Sequence, residues 1–340
     1  MTLKQPEPGL PPVVARLLAE RGWRHQAVYR HGPRYWVGQI TGHDPTDPAA
    51  PGILKLVLDD TRWLNPATQQ ERSTSDQLLA EAEILRHWSN PKRRLGEGGW
   101  PGRVAATTAR WHAHGAEPVA WSVRSMLPGS SYELGASPIR FRPDFFTEAR
   151  IAQLISFVRS YQHPAEQFQG DLPHLPGPDY WNPEMRLEAV SLHYPVPALA
   201  DMAPAIRRFV RDEAVLYNRQ PPLLSHFEVY PSHLFDTDGR LSLIDWENVG
   251  FGNSLTDFVP VWLRAFDQPD WQRAYYEQIR VAAQIGSAAE FDRLWQLETL
   301  LQACGILRYL DQSELEPAGW RAQYEAQLLQ SVRSILEAGA

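Results

Sequence analysis

The sequence predicts an α+β protein in two unequal parts, a small strand-rich one and a larger helical one. Three observations predict this. Short strand-like apolar pieces fill most of the first 127 residues, with one prominent amphipathic helix among them. From about residue 145 the apolar residues recur at helical spacing instead. The 340 residues also exceed the size at which a single hydrophobic core usually stops growing. The expected division is 1–127 and 128–340, with a hinge near residues 122–128.

Taken in order, residues 11–21 form a short helix, because Val13, Val14, Leu17 and Leu18 make one stripe. Strand-like pieces follow: QAVYRH (26–31), RYWVGQI (34–40) and GILKLVL (52–58). Gly32-Pro33 breaks the first pair. TSDQLLAEAEILRHWS (74–89) reads as an amphipathic helix, and NPKRRLGEGGWPG after it as a glycine-rich, solvated loop. Two more strands are expected around 103–112 and 117–126. Helices are then expected over 146–162, 199–219, 254–266, 269–285, 291–311 and 317–337. The proline-rich run GDLPHLPGPDYWNPE is long enough to be a binding loop. No internal repeat is visible.

Composition narrows the class. Hydrophobic residues make up 43% and charged residues 21%, a globular balance. The net charge of −7 is spread along the chain, and no long basic block points to nucleic acid. The start lacks the uninterrupted apolar core of a signal peptide, and no apolar run is long enough to cross a bilayer. Cys304 is the single cysteine and shares a helical face with Leu297, Leu300, Leu301 and Leu307, so a buried structural thiol is expected. Together these features predict a cytoplasmic protein with no membrane or nucleic-acid partner. The oligomeric state is not legible.

Chemistry concentrates in LSHFEVYPSHLFDTDGRLSLIDWENVGFG, residues 224–252. HLF and RLSLID read as the arms of a hairpin, and DTDG between them is strong turn chemistry, since Gly239 can take positive φ. The arms bring His233, at the start of one, close to Asp245, at the end of the other. Asp245 therefore terminates a buried strand. In GILKLVL, Lys55 is a lone charge within an apolar strand. On the helix, Glu81 lies three, four and seven residues from Leu78, Leu85 and Trp88, which puts it on the buried face, whereas Glu83 points to solvent. A buried-face acid needs a cation, and Lys55 is the obvious partner. His112 and His114 share a strand face but have no third ligand nearby, so they read as surface histidines. Tyr180, Trp181, Trp262, Trp271, Tyr275 and Tyr276 read mostly as core, with some as candidates for a substrate cleft.

The letters SHFEVYPSHLF and LIDWENVGFGNSLTDF resemble the signature of the aminoglycoside phosphotransferase and choline kinase-like family. That family shows HGD, four residues, then Asn, and later IDW followed by a Gly-containing segment and Asp. The resemblance implies a two-lobed protein-kinase-like fold. Residues 1–127 would be a nucleotide-binding N-lobe, and 128–340 a C-lobe with the catalytic loop and substrate-binding helices. It implies transfer of the γ-phosphoryl of ATP or GTP, with Mg²⁺, to a hydroxyl of a small-molecule substrate, a metabolite or an antibiotic.

Residue by residue, the resemblance makes Asp245 the magnesium-holding acid and His226 a packing residue of the catalytic loop. Glu228 takes the place of the catalytic Asp and His233 that of the second metal-binding Asn. Asp257 becomes a structural acid. Lys55 becomes the phosphate clamp held by Glu81, and backbone groups of Val123, Arg124 and Ser125 would take the nucleobase edge. Three letters depart from the pattern. His233 replaces Asn, as it does in macrolide phosphotransferases. Glu228 replaces Asp, and one extra methylene moves a carboxylate by roughly 1.5 Å where about 1 Å already matters. Phe227 replaces Gly. These departures admit an alternative, a catalytically impaired pseudokinase acting as a nucleotide- or ligand-binding module.

Overall fold

The computed structural model describes residues 9–64, 71–89, 109–111, 119–127, 129–135, 137–168, 183–184, 186–187, 196–237, 239–283, 285–312 and 317–338. Helix α1 (Pro12–Arg21) starts with proline at its first position and ends where Gly22 turns left-handed at φ +68°. Strands β1 (Arg24–His31), β2 (Tyr35–Thr41) and β3 (Gly52–Val57) follow. A short antiparallel pair, β4 (Arg62–Leu64) and β5 (Glu71–Ser73), precedes α2 (Thr74–Ser89). A reciprocal cap starts α2: Asp76 N–H donates to Ser73 Oγ, and Ser73 N–H donates back to Asp76 Oδ2. Strands β6 (Ala109–Trp111) and β7 (Val119–Ser125) complete a five-stranded antiparallel sheet in the order β1-β2-β3-β7-β6.

This sheet is packed on both faces. One face holds Trp36, Ile40, Leu54, Leu56, Trp121 and Val123 against Val14, Leu17 and Leu18 of α1. The other joins Tyr35, Val57 and Ala120 to Leu78 and Leu79 of α2. The expected helices 11–21 and 74–89 and the three expected early strands all form. Of the strand expected at 103–112, residues 109–111 are described. His112, His114, the NPKRR loop, Tyr180, Trp181 and the side chain of Trp88 lie outside the described residues.

Beyond the sheet come three short strands: β8 (Ser130–Ser131) and β9 (Glu133–Leu134), too brief to carry a periodic signal, and β10 (Ser137–Phe141), which alternates buried and half-buried positions. Helix α3 (Glu148–Tyr161) is capped by Thr147, whose Oγ1 accepts from Arg150 N–H. The helix expected over 199–219 is a 3₁₀ segment, Pro197–Met202, running into α4 (Ala203–Asn218). Strand β11 (Leu223–Ser225) pairs with β14 (Gly250–Gly252), so the stretch between them is closed at its base. Inside it β12 (Leu234–Thr237) and β13 (Arg240–Leu243) form the expected hairpin, with Gly239 at φ +78°. The helix expected over 254–266 is only α5 (Val259–Arg264). Residues 253–258 are held instead as turns, because Asn253 Oδ1 accepts from Leu255 N–H and Thr256 Oγ1 from Asn253 N–H.

Helices α6 (Pro269–Ala282), α7 (Ala288–Gln312) and α8 (Ala318–Ala338) end the chain. Their apolar faces join α3, α4 and the hairpin in one continuous core that includes Trp271, Tyr275 and Cys304, with Trp262 and Tyr276 packed on its edge. Burial pushes the Cys304 thiol up to about 12, so it is unreactive packing. No helix among the described residues is long and apolar enough to cross a membrane.

Candidate active site

Strand β3 is buried at all six positions. Leu54 and Leu56 face α1, so the strand period turns Lys55 the other way, toward α2. There its ammonium meets three carboxylates. Lys55 Nζ donates to Glu81 Oε2 at 3.0 Å, to Asp245 Oδ1 at 2.6 Å and to Glu247 Oε2 at 2.8 Å. It also lies 4.7 Å from the ring centre of Tyr35 on β2. Burial works against the ammonium, but Asp245, Glu81 and Glu247 outweigh it and hold Lys55 well above the usual lysine range. Burial likewise favours neutral Asp245, and Lys55 and then His233 outweigh it and hold that acid below the usual range. Glu81, almost fully buried, is pushed up by burial against the pull of Lys55.

The hairpin places His233 and Asp245 together, as its register requires. Ile244 N–H donates to the His233 carbonyl at 3.0 Å, and His233 Nε2 lies 3.5 Å from Asp245 Oδ2. His233 Nδ1 lies 3.0 Å from the Glu228 carbonyl and donates to it, because a carbonyl can only accept. Nε2 is therefore the nitrogen that faces the cleft. The Tyr230 ring stacks on the imidazole at 5.3 Å.

Behind this surface His226 is fully buried. Its Nδ1 accepts from Glu228 N–H at 3.2 Å, its Nε2–H donates to the Ile244 carbonyl at 3.0 Å, and its ring stands edge-on to Trp246. Burial, with His233 adding to it, lowers the imidazole to about 3, so His226 stays neutral and acts as a spacer. Asp257 accepts from the N–H groups of His226 and Phe227, at 2.8 and 2.7 Å, and from the Tyr161 hydroxyl at 2.9 Å. Burial pushes its carboxyl up to about 6 against those bonds. Glu228 is pushed up as well, by burial first; His233 and a hydrogen bond from the Asn248 side chain oppose the rise.

Two non-glycine residues among those described have positive φ: Phe227 at 69° and Asp245 at 66°. Both belong to this site. Such backbone costs on the order of 1–3 kcal/mol and persists only where its surroundings impose it. At Phe227 the imposing contacts are visible. Asp257 takes its N–H, and the buried Arg186 guanidinium lies 5.5 Å from its ring centre while bonding Glu298 at 2.9 Å.

No family model matches the sequence, and no curated protein does either. Solved structures do match, over nearly the whole length. The aminoglycoside phosphotransferase APH(4)-Ia, solved as a mutant with ADP and hygromycin B, covers 97% of this chain and 99% of its own, at 11% identity and a TM-score of 0.57. The macrolide 2′-phosphotransferase MphH from Brachybacterium faecium covers 93% and 96%, at 16% identity and a TM-score of 0.52. An amicoumacin kinase, hAmiN, solved with AMP-PNP and Ca²⁺, covers 96% and 94%, at 11% identity and a TM-score of 0.56. The chain has the two-lobed kinase-like fold of these phosphotransferases.

Within that phosphotransferase fold, the structure brings together Lys55, Glu81, Asp245 and His233, with Glu228 bonded into the same loop. Val123, Arg124 and Ser125 lie on β7, paired with Leu54, Ile53 and Gly52. Lys55 pairs with Ser122, so Arg124, two residues on, shares the face of Lys55. Its charge reaches both Glu81 and Asp245. The expectation of backbone contacts at the hinge thus missed a cleft-facing side chain.

Glu247, Tyr35, Asn248 and Gln77 were also not foreseen. Glu247 stands two letters after Asp245, and an acid so close to the IDW triplet was a usable signal. The donor set suits a hard divalent cation. Asp245 and Glu247 offer carboxylate oxygens at the cleft, 25% and 14% exposed, and three carboxylates outnumber one ammonium. Among the described residues no group of three or more His, Cys, Asp or Glu is placed to hold a metal ion by itself. Magnesium in phosphoryl-transfer sites needs none, because one or two carboxylates plus phosphate oxygens hold it.

Proposed function

We propose that this protein is a small-molecule kinase of the cytoplasm that moves the γ-phosphoryl group of ATP or GTP to a hydroxyl of a metabolite or antibiotic. One observation carries the reading: Lys55, Glu81, Asp245 and Glu247 meet at a single ammonium, although Lys55 and Asp245 stand 190 positions apart. A structural ion pair needs one acid. An ammonium that draws an acid from α2 and two from the 245–247 turn suits a place where phosphates and a cation are received. The nucleotides in the similar structures, ADP and AMP-PNP, support the same reading.

In this reading Lys55 binds phosphate oxygens and Glu81 keeps its ammonium aimed. Arg124 adds positive charge on the same face, and the β7 backbone at 123–125 takes the nucleobase edge. Asp245, with His233 through Nε2 or a water, would hold Mg²⁺, which supplies neutralisation of the phosphate charge. Glu228 orients the acceptor hydroxyl and takes its proton. The acceptor oxygen forms its bond to the γ-phosphorus as the bond from that phosphorus to the β,γ-bridging oxygen breaks. The electron pair leaves with the nucleoside diphosphate. The protein chiefly supplies placement and charge. The domain division at 127/128 follows, with the donor held by the sheet side and the acceptor by the helical side.

A second reading, a binding module without transfer, has its own observation. All three carboxylates already sit within 3.0 Å of Lys55, so a nucleotide must compete with them for the ammonium. The deciding experiment is nucleotide consumption with MgATP and MgGTP across a panel of hydroxylated metabolites and antibiotics, paired with thermal shift. The kinase reading expects turnover with at least one acceptor and a nucleotide-dependent rise in Tm that disappears in Asp245→Ala. A rise in Tm without turnover supports the binding module. No rise with either nucleotide in any divalent metal sinks both.

A further inference from the structure

Phe227 holds a left-handed backbone that favours glycine, and two separate contacts keep it there. Both trace back to one residue. Glu298, on α7, is fully buried. Its Oε1 accepts from Arg186 Nη1 at 2.9 Å, from Asn253 Nδ2 at 2.8 Å and from Thr256 Oγ1 at 3.1 Å. Its Oε2 accepts from the same guanidinium nitrogen at 3.1 Å.

The first branch runs through Arg186. Its guanidinium, 8% exposed, lies 5.5 Å from the Phe227 ring centre, so the acid that fixes the guanidinium fixes what the ring rests on. The second branch runs through the 253–258 turn. With Nδ2 given to Glu298, the Asn253 amide turns its Oδ1 to Leu255 N–H at 2.8 Å. With its proton given to Glu298, Thr256 Oγ1 accepts from Asn253 N–H at 3.0 Å. These bonds shape the turn that carries Asp257, whose two oxygens accept from the N–H groups of His226 and Phe227. The ring and the N–H of Phe227 are thus held by two branches that meet at one carboxylate.

The geometry points to Glu298 as a positioning residue of the catalytic loop: it imposes the left-handed turn at Phe227 and so sets where Glu228, the next residue, leaves the backbone. Strained backbone of this kind persists only where the surroundings over-determine it, and a doubly anchored Phe227 meets that condition. For its catalytic meaning the assignment rests on the kinase reading; the hold on the turn stands without it.

Glycine adopts this backbone unaided, so Phe227→Gly frees the loop from Glu298 and supplies the test. In the kinetic arm, with an acceptor found by the panel, Glu298→Gln lowers kcat on the order of tenfold to a hundredfold. It leaves the nucleotide KM within about twofold, because it shifts the acceptor-side acid and not the Lys55 cluster. In a Phe227→Gly background the same substitution lowers kcat by no more than about threefold. Should Glu298→Gln fail to fold for want of a charge partner for Arg186, Thr256→Val cuts the turn branch alone and is read in the same two backgrounds. An equal loss of kcat in both backgrounds, or a raised nucleotide KM with kcat intact, would overturn the proposal.

The second arm needs no turnover. The losses in Tm from Phe227→Gly and from Glu298→Gln, or Thr256→Val in its place, should sum to more than the loss in the double variant. Additive losses refute the hold on the loop. If the native protein consumes no nucleotide with any acceptor while this coupling is present, the kinase reading falls and the role of Glu298 in shaping the turn stands.

Discussion

Replacing Lys55 by Met keeps an unbranched side chain of similar length and removes the ammonium. The effect falls first on Glu81, whose side chain is 3% exposed and whose carboxyl is already pushed up by burial against the pull of Lys55. Without the ammonium the acid has two options. Left charged and unpaired, it costs about 3–5 kcal/mol. Protonated, it costs what removing it from its ordinary titration costs: with an unfolded pKa near 4.3, about 1 kcal/mol at pH 5 and about 3.7 kcal/mol at pH 7. The molecule takes the cheaper option, so the penalty grows from about 1 kcal/mol at pH 5 to about 3–4 kcal/mol at pH 7.

The sign follows from the direction of the shift. A carboxyl whose folded pKa is raised leaves stability intact below its unfolded pKa and removes it as pH rises toward the folded value. Asp245 and Glu247 are left out of this sum, because each reaches solvent and can be screened. Urea unfolding of the native protein and of Lys55→Met, followed by tryptophan fluorescence at pH 5 and pH 7, reads the penalty directly. Adding Glu81→Gln to Lys55→Met should flatten the difference between the two pH values. A penalty equal at both, or one untouched by Glu81→Gln, would show that the buried acid does not depend on this lysine.

Two further substitutions probe the loop. Glu228→Gln keeps the shape and should lower kcat on the order of a hundredfold to ten-thousandfold while leaving the MgATP-induced rise in Tm unchanged; an unchanged kcat would remove Glu228 from the chemistry. Phe227→Gly relieves about 1 kcal/mol of left-handed strain but gives up a buried ring typically worth about 3–5 kcal/mol, so unfolding experiments should find a net loss of about 2–4 kcal/mol. A more stable glycine variant would mean that the Arg186 and core contacts of the ring contribute little.

Much of this was legible in the letters, for reasons that differ by element. Helix α2 announced itself through its apolar stripe, and the same stripe placed Glu81 inward. The 234–243 hairpin was legible because DTDG allows one sharp turn, and the turn fixed the meeting of His233 with Asp245. Strands β8 and β9 and the β11–β14 pair were invisible, since two or three residues cannot show alternation; the five-residue β10 does alternate, and was missed. Residues 254–258 looked helical because their apolar spacing suits a helix, yet the side chains of Asn253 and Thr256 bond nearby backbone N–H groups and hold the chain in turns, while Asp257 is committed to the N–H groups of His226 and Phe227 across the site. Tyr35, Arg124, Gln77 and Asn248 entered the site through strand register and lobe docking, which no local spacing encodes.

The charge count bears on whether the loop is working or vestigial. Around one ammonium the fold gathers Glu81, Asp245 and Glu247, a formal surplus of two negative charges, with Arg124 the further cation on the same face. A site that had ceased to receive ligands would gain stability by losing one of these acids, since like charges beside each other in a partly buried cluster oppose folding. The surplus is useful in one circumstance: when a divalent cation arrives bridged to phosphate, so that the acids turn to the metal and Lys55 turns to the phosphate oxygens. Direct evidence would be a tighter MgATP complex in the native protein than in Glu247→Gln, by on the order of tenfold, despite the weaker repulsion of phosphate in the variant. If the neutral variant bound the nucleotide more tightly, the acids would be a barrier to the nucleotide, and the binding-module reading would gain what the kinase reading lost.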